Sequence, residues 1–113
     1  MADIKGYVEN IKLYTAAVDE ATVAGVVKHC GIALQSKDAS LVAASDPAEL
    51  ARVRESFCKK KLARTEDDAA LDSAIGAVMT QMKAERNKSR VTVYYLLAEK
   101  FGQLGLFHPK TSS

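Results

Sequence analysis

Residues 89–102 read SRVTVYYLLAEKFG, and the fold class turns on whether they coil or extend. Val91 to Tyr95 is β-branched and aromatic, a composition that suits a strand. The AEKFG that follows continues the run in helix-forming residues, and Ser89 stands where an N-cap would. The chain offers no second strand-like segment as a partner, and a lone strand leaves its backbone groups unpaired. The stretch reads as helix. Its apolar residues, Val91, Val93, Tyr94, Tyr95, Leu96, Leu97, Ala98 and Phe101, wrap nearly the whole circumference. Such a helix lies at the centre of a bundle or spends one face on another subunit. Tyr94, Tyr95 and Leu96 are the candidate residues for self-association.

Working outward, the remaining segments are also helical. Ile4, Tyr7, Val8, Ile11 and Tyr14 recur at three- and four-residue steps, an amphipathic first helix. Asp19 caps a second, which buries Val23, Val26, Val27, Cys30 and Leu34, with Gly31 placed to end it early. Residues 35–45 are the least periodic and read as a loop with one helical turn around Leu41. In SDPAEL, Asp46 is the N-cap, Pro47 the first helical residue and Glu49 the capping-box partner. That helix buries Leu50, Val53 and Phe57 with Cys58 or Leu62. Thr65 caps the next through T-E-D-D, ahead of the stripe Leu71, Ala74, Ile75, Val78 and Met82.

Charge follows the same division. Formal charge is −1 over residues 1–45, +3 over 46–64, −4 over 65–82 and +4 over 83–113. Lys59, Lys60, Lys61 and Arg64 fall at the end of one helix, and Glu66, Asp67 and Asp68 at the start of the next. Cations near a C-terminus and anions near an N-terminus each gain about 0.3–1 kcal/mol from the aligned peptide dipoles. The reversal is what two consecutive helices with a tight corner produce.

A chain of 113 residues with a net charge of +2 is one domain by length, and its charge alone does not argue for nucleic acid. The N-terminus MADIKGYVENIKLYT has no basic stretch before an apolar run, and nothing approaches the roughly 20 apolar residues of a membrane span. The expectation is a cytoplasmic protein with no membrane contact and with Cys30 and Cys58 reduced.

Candidate sites are few. His29, Cys30, Cys58 and His108 are potential zinc ligands, but they lack the short paired spacing of structural sites. Small core thiols explain the cysteines more simply. Asp68 and Asp72 share a helix face without the Glu-x-x-His pairs of di-metal bundles. The isolated Gly25, Gly31 and Gly76 form no phosphate loop, and no nucleophile stands beside a base and an orienting acid. No catalytic residue, metal or cofactor is assigned.

The segments GIALQSKDASLVAASDPAELARVRESFCKKKL and ERNKSRVTVYYLLAEKFG resemble a family of short bacterial proteins described as a domain of unknown function, over residues 5–107. The resemblance implies a compact helical fold in a bacterial cytoplasm and supplies no activity, ligand or site residue.

The resulting expectation is an all-α bundle of about five helices, near 4–15, 19–34, 47–62, 66–85 and 90–102. Residues 1–107 form one domain and residues 108–113 a disordered tail. The core is Tyr7, Ile11, Val27, Leu50, Phe57, Ile75, Val78, Leu97 and Phe101. The function read from these residues is non-catalytic, through contacts with an unidentified protein partner or as a homodimer. The runner-up is weak nucleic-acid binding by Lys59, Lys60, Lys61, Arg64, Arg86, Lys88 and Arg90. An up-and-down bundle weakens it, because the corners near residues 62 and 88 then lie at opposite ends.

Overall fold

The structure is a computed structural model that describes residues 4–16, 18–35, 40–85 and 88–107, without the side chains of residues 32 and 33. The five α-helices among the described residues are α1 (Lys5–Lys12), α2 (Glu20–Cys30), α3 (Pro47–Arg52), α4 (Asp68–Gln81) and α5 (Arg90–Lys100). The helix α3 runs on as a π-helix through Val53–Lys61, and 3₁₀ turns occupy Gly31–Gln35 and Leu104–Leu106. A Cα radius of gyration of 13.1 Å matches the roughly 13 Å of a compact chain of this length. The fold is all-α, and no helix among the described residues is long and apolar enough to cross a membrane.

The helix α5 is the axis of the packing. Val91 to Ala98 are all buried, Val91, Val93, Tyr95 and Leu97 completely so, with α1, α2 and α4 packed around them. The surplus apolar circumference read from the sequence is consumed inside the chain. Of the expected core, Ile11, Val27, Phe57, Ile75, Val78 and Leu97 are buried, while Tyr7, Leu50 and Phe101 are partly so.

One two-residue ladder departs from the helical reading. The strands β1 (Leu41–Val42) and β2 (Lys88–Ser89) pair antiparallel, Leu41 opposite Ser89 and Val42 opposite Lys88. The expected helical turn at Leu41 is therefore extended, and the missing strand partner does exist. It pairs the residues before α5 rather than Val91 to Tyr95. A pairing two residues long leaves no alternation to detect in sequence.

Helix ends follow local chemistry. Asp46 accepts the Ala48 N–H at 3.0 Å as the cap of α3, with Pro47 at the first position. At α4 the cap is Asp67, which accepts from Ala70 at 2.9 Å, and Thr65 does not cap. Around Thr65 the Arg64 guanidinium holds the Glu66 carboxylate at 3.0 and 2.5 Å, and Asp68, the residue a Thr65 box would use, bridges Lys59 at 2.6 Å. The helix starts two residues later than T-E-D-D suggests.

The π-helix has a packing cause. Over nine residues an α-helix turns through about 900°, which would put Val53 and Leu62 on opposite faces. Both are buried, together with Phe57 and Cys58. Hydrogen bonds of the i→i−5 kind, such as Leu62 N–H to the Phe57 carbonyl at 2.9 Å, widen each turn until all four share the core face. Ala63 then takes a left-handed φ of 55° as the chain leaves the helix, and Arg64 N–H closes it on the Cys58 carbonyl at 3.0 Å.

Glu49 fills no capping box. It is buried, and its carboxylate receives the guanidinium of Arg90 from the first turn of α5 and that of Arg52 from its own helix. Arg90 also donates to the Tyr94 hydroxyl at 2.9 Å and to the Leu41 carbonyl at 3.3 Å. Removing one member of a buried pair strands the other charge without a partner. Glu49→Leu is expected to destabilise the chain by about 3–5 kcal/mol, and adding Arg90→Met to recover a large part of that loss, as read from urea denaturation.

Candidate functional site

The basic residues singled out in sequence do not form one surface. Lys59 bridges Glu55 at 2.9 Å and Asp68 at 2.6 Å, so it ties the π-helix to the start of α4. Beside it Arg54 holds Asp72 at 3.0 Å and Glu55 at 2.9 Å. Arg64 pairs with Glu66, donates to Gln103 at 3.2 Å and lies 4.6 Å above the Phe101 ring. Lys88 is buried and donates to the Glu85 carbonyl at 2.7 Å, beyond the far end of α4. The fourteen residues of α4, about 21 Å of helix, separate the two groups. Arg90 is spent on Glu49, and Arg86 lies outside the described residues. Lys60 is exposed and Lys61 partly so.

The other sequence candidates are equally dispersed. Tyr94, Tyr95 and Leu96 are 6%, 0% and 3% exposed, so the face expected to meet a second copy is turned into the chain's own core. Cys30 and Cys58 are buried, and loss of solvation pushes each thiol up to about 11, where it is not a nucleophile at neutral pH. His108 lies outside the described residues, among which no three His, Cys, Asp or Glu side chains are placed to hold a metal.

A feature absent from the sequence reading is a cleft of about 410 Å³ on the outer side of α2. Its lining is Ala21, Ala24, Gly25, Lys28 and His29 from α2, Lys61 from the π-helix, and Leu106 and Phe107 from the C-terminal segment. The first four of these recur at helical spacing on the face opposite the core stripe, which is the only trace they leave in sequence. The other side of the cleft depends on tertiary packing. Phe57 stacks on Tyr94 with centroids 3.9 Å apart, and Phe107 lies parallel to Phe57 at 6.0 Å. The His29 ring sits edgewise to Phe107 at 5.8 Å and tilted to Phe57 at 5.8 Å, while Lys61 lies 5.3 Å over the Phe107 ring.

Gly25 is what allows this approach. A Cβ at that position would stand 1.9 Å from the Phe107 carbonyl oxygen. Only a residue without a side chain lets the C-terminal segment close against α2. His29 has no hydrogen-bond partner among the described residues, and its pKa is lowered, first by burial against the rings and then by the Lys61 charge. The imidazole is therefore neutral at neutral pH. No carboxylate stands beside it among the described lining residues, and the arrangement presents an apolar floor with a cationic rim.

The chain belongs to the family described as "Protein of unknown function (DUF2853)", which matches residues 6–105. No curated protein matches it.

Two measurements check the geometry of this site. Gly25→Ala is expected to cost about 1–3 kcal/mol in urea denaturation, because the inserted methyl must displace the Phe107 backbone. For His29 the unfolded chain binds the proton more readily than the folded one, near its ordinary value of about 6.5. The stabilisation is fully present above that value and is lost as pH falls toward the lower folded pKa. Between about pH 7.5 and about pH 5.5 the native chain should lose more stability than His29→Gln, measured as the shift of the urea midpoint.

Proposed function

We propose that this chain is a non-catalytic module that works by holding another protein. The observation supporting this reading is the cleft over α2: an open, apolar-floored surface rimmed by Lys28, His29 and Lys61, with no carboxylate among its described lining residues. A site for chemistry would call for clustered, mutually bonded titratable groups. The carboxylates and guanidinia that are clustered here bond one another across helix junctions and hold the fold. The same ion pairs weigh against nucleic-acid binding, since a lysine already neutralised by aspartate releases few counterions on meeting a phosphate.

Self-association through α5 would require Tyr94, Tyr95 and Leu96 to leave the core. The large apolar side chains exposed among the described residues are Leu13 and Leu106, and they give a second copy little area to cover.

The reading is tested with a photo-reactive phenylalanine analogue placed at Ala24 in the full chain, in its host cell. Illumination is expected to join the chain to a polypeptide, and the analogue at Lys83, which does not line the cleft, to give no such product. Absence of a polypeptide adduct at Ala24 would overturn the proposal. On a duplex-DNA column the chain should pass unretained even at low salt. Retention that falls steeply with salt and disappears on reversing Lys59, Lys60 and Lys61 to glutamate would favour nucleic acid instead.

A further inference from the structure

Granted the protein-contact reading, we infer that the cleft over α2 takes an acidic segment of the partner that carries an apolar anchor side chain. The first support is charge. Lys28 and Lys61 line the cleft without a carboxylate among its described lining residues, and neither lysine has an ion pair among the described residues. This contrasts with Lys59, two residues before Lys61, which two carboxylates occupy. Cationic side chains left unneutralised at the rim of an apolar surface favour an anionic counterpart and disfavour a basic one.

The second support is the floor. Ala21, Ala24 and Gly25 present a helix face with no side chain beyond Cβ, against which another backbone can lie closely. At one side Leu106 is 50% exposed while its neighbour Phe107 is buried, so an aliphatic edge stands free beside a rigid aromatic wall. An apolar side chain from the partner would cover that edge, while flanking carboxylates reach the rim.

The shape and the aromatics separate this occupant from others. The cleft is more open than enclosed, which would leave a small molecule largely in water, whereas a chain segment continues beyond it. Nucleic-acid grooves pair their cations with exposed aromatic faces on which bases stack. Here Phe57, Tyr94 and Phe107 stack on one another and are buried.

The test uses the full chain and a fluorescein-labelled peptide of alternating Glu-Glu and Leu-Leu pairs, followed by fluorescence anisotropy. Binding is expected, weakened about tenfold or more when glutamines replace the glutamates or alanines the leucines. Lys28→Glu with Lys61→Glu should weaken it by a similar factor. Lys12→Glu with Lys83→Glu, the same change of net charge outside the cleft, should leave it unchanged. Ala24→Trp should block the floor, and should that variant fail to fold, the two charge-reversal pairs still decide. Indifference to the glutamines, indifference to Lys28 and Lys61, or no binding at all would overturn the inference. So would competition by tripolyphosphate or single-stranded RNA at equal charge concentration, which would make the cleft a general anion site. If the peptide is ignored while Ala24 still yields a polypeptide adduct, the occupant's chemistry falls and the protein-contact reading stands. If both fail, both fall.

Discussion

The buried contact between Glu49 and Arg90 is the constraint from which the rest of the architecture is built. It joins the first turn of α3 to the first turn of α5, across a sequence distance of 41 residues. The same guanidinium holds the Leu41 carbonyl in β1 and the Tyr94 hydroxyl one turn along α5. Tyr94 in turn stacks on Phe57 from the π-helix, and Phe57 lies parallel to Phe107 at the chain's C-terminal segment. A single charged pair thus sets the rotation of the central helix. Through two ring contacts it also sets the wall of the cleft. Isolated burial of either ion would be costly, so the pair specifies one arrangement more than it adds stability.

Charge elsewhere in the molecule does similar joining work at lower stakes. Lys59 and Arg54 link the π-helix to Asp68 and Asp72 of α4, and Arg64 links the following corner to the end of α5 through Phe101 and Gln103. The carboxylates of Asp68 and Asp72 are half exposed and the cations partly so, and an ion pair at such a surface contributes up to about one kcal/mol. Their value lies in fixing which helix ends meet. Dipole compensation and direct pairing act together here, because the basic end of one helix lies against the acidic start of the next.

The cleft exists because the core leaves α2 with two different faces. Val23, Val26, Val27 and Cys30 are committed to the interior, and Ala21, Ala24 and Gly25 remain outside with almost no side chain. Phe107 closes over Gly25 at backbone distance, then the surface falls away toward Lys28 and Lys61. Small residues and a displaced terminal segment make the depression, and the lysines give it its sign. Arg52, Arg54, Lys59, Arg64 and Arg90 are each balanced by a neighbouring carboxylate, whereas Lys28 and Lys61 have none among the described residues.

Helix count, order and core stripes were legible in the sequence, because burial at 3.6-residue spacing is a local pattern that survives without knowledge of partners. Asp46 and Pro47 marked the start of α3 for the same reason: a cap is satisfied by its own next residues. Where a residue's partner is distant, sequence alone chose wrongly. Glu49 looked like a capping-box acid until Arg90 took it, and Tyr94, Tyr95 and Leu96 like a free face until α1, α2 and α4 enclosed α5. Val53 and Leu62 could share a face only once the turn had widened, a choice made by the core and not by the nine residues themselves. Local periodicity therefore determined that this chain is a set of helices. Which charges cancel, which faces stay open, and so where a partner could bind were decided only when residues far apart in sequence came within contact distance.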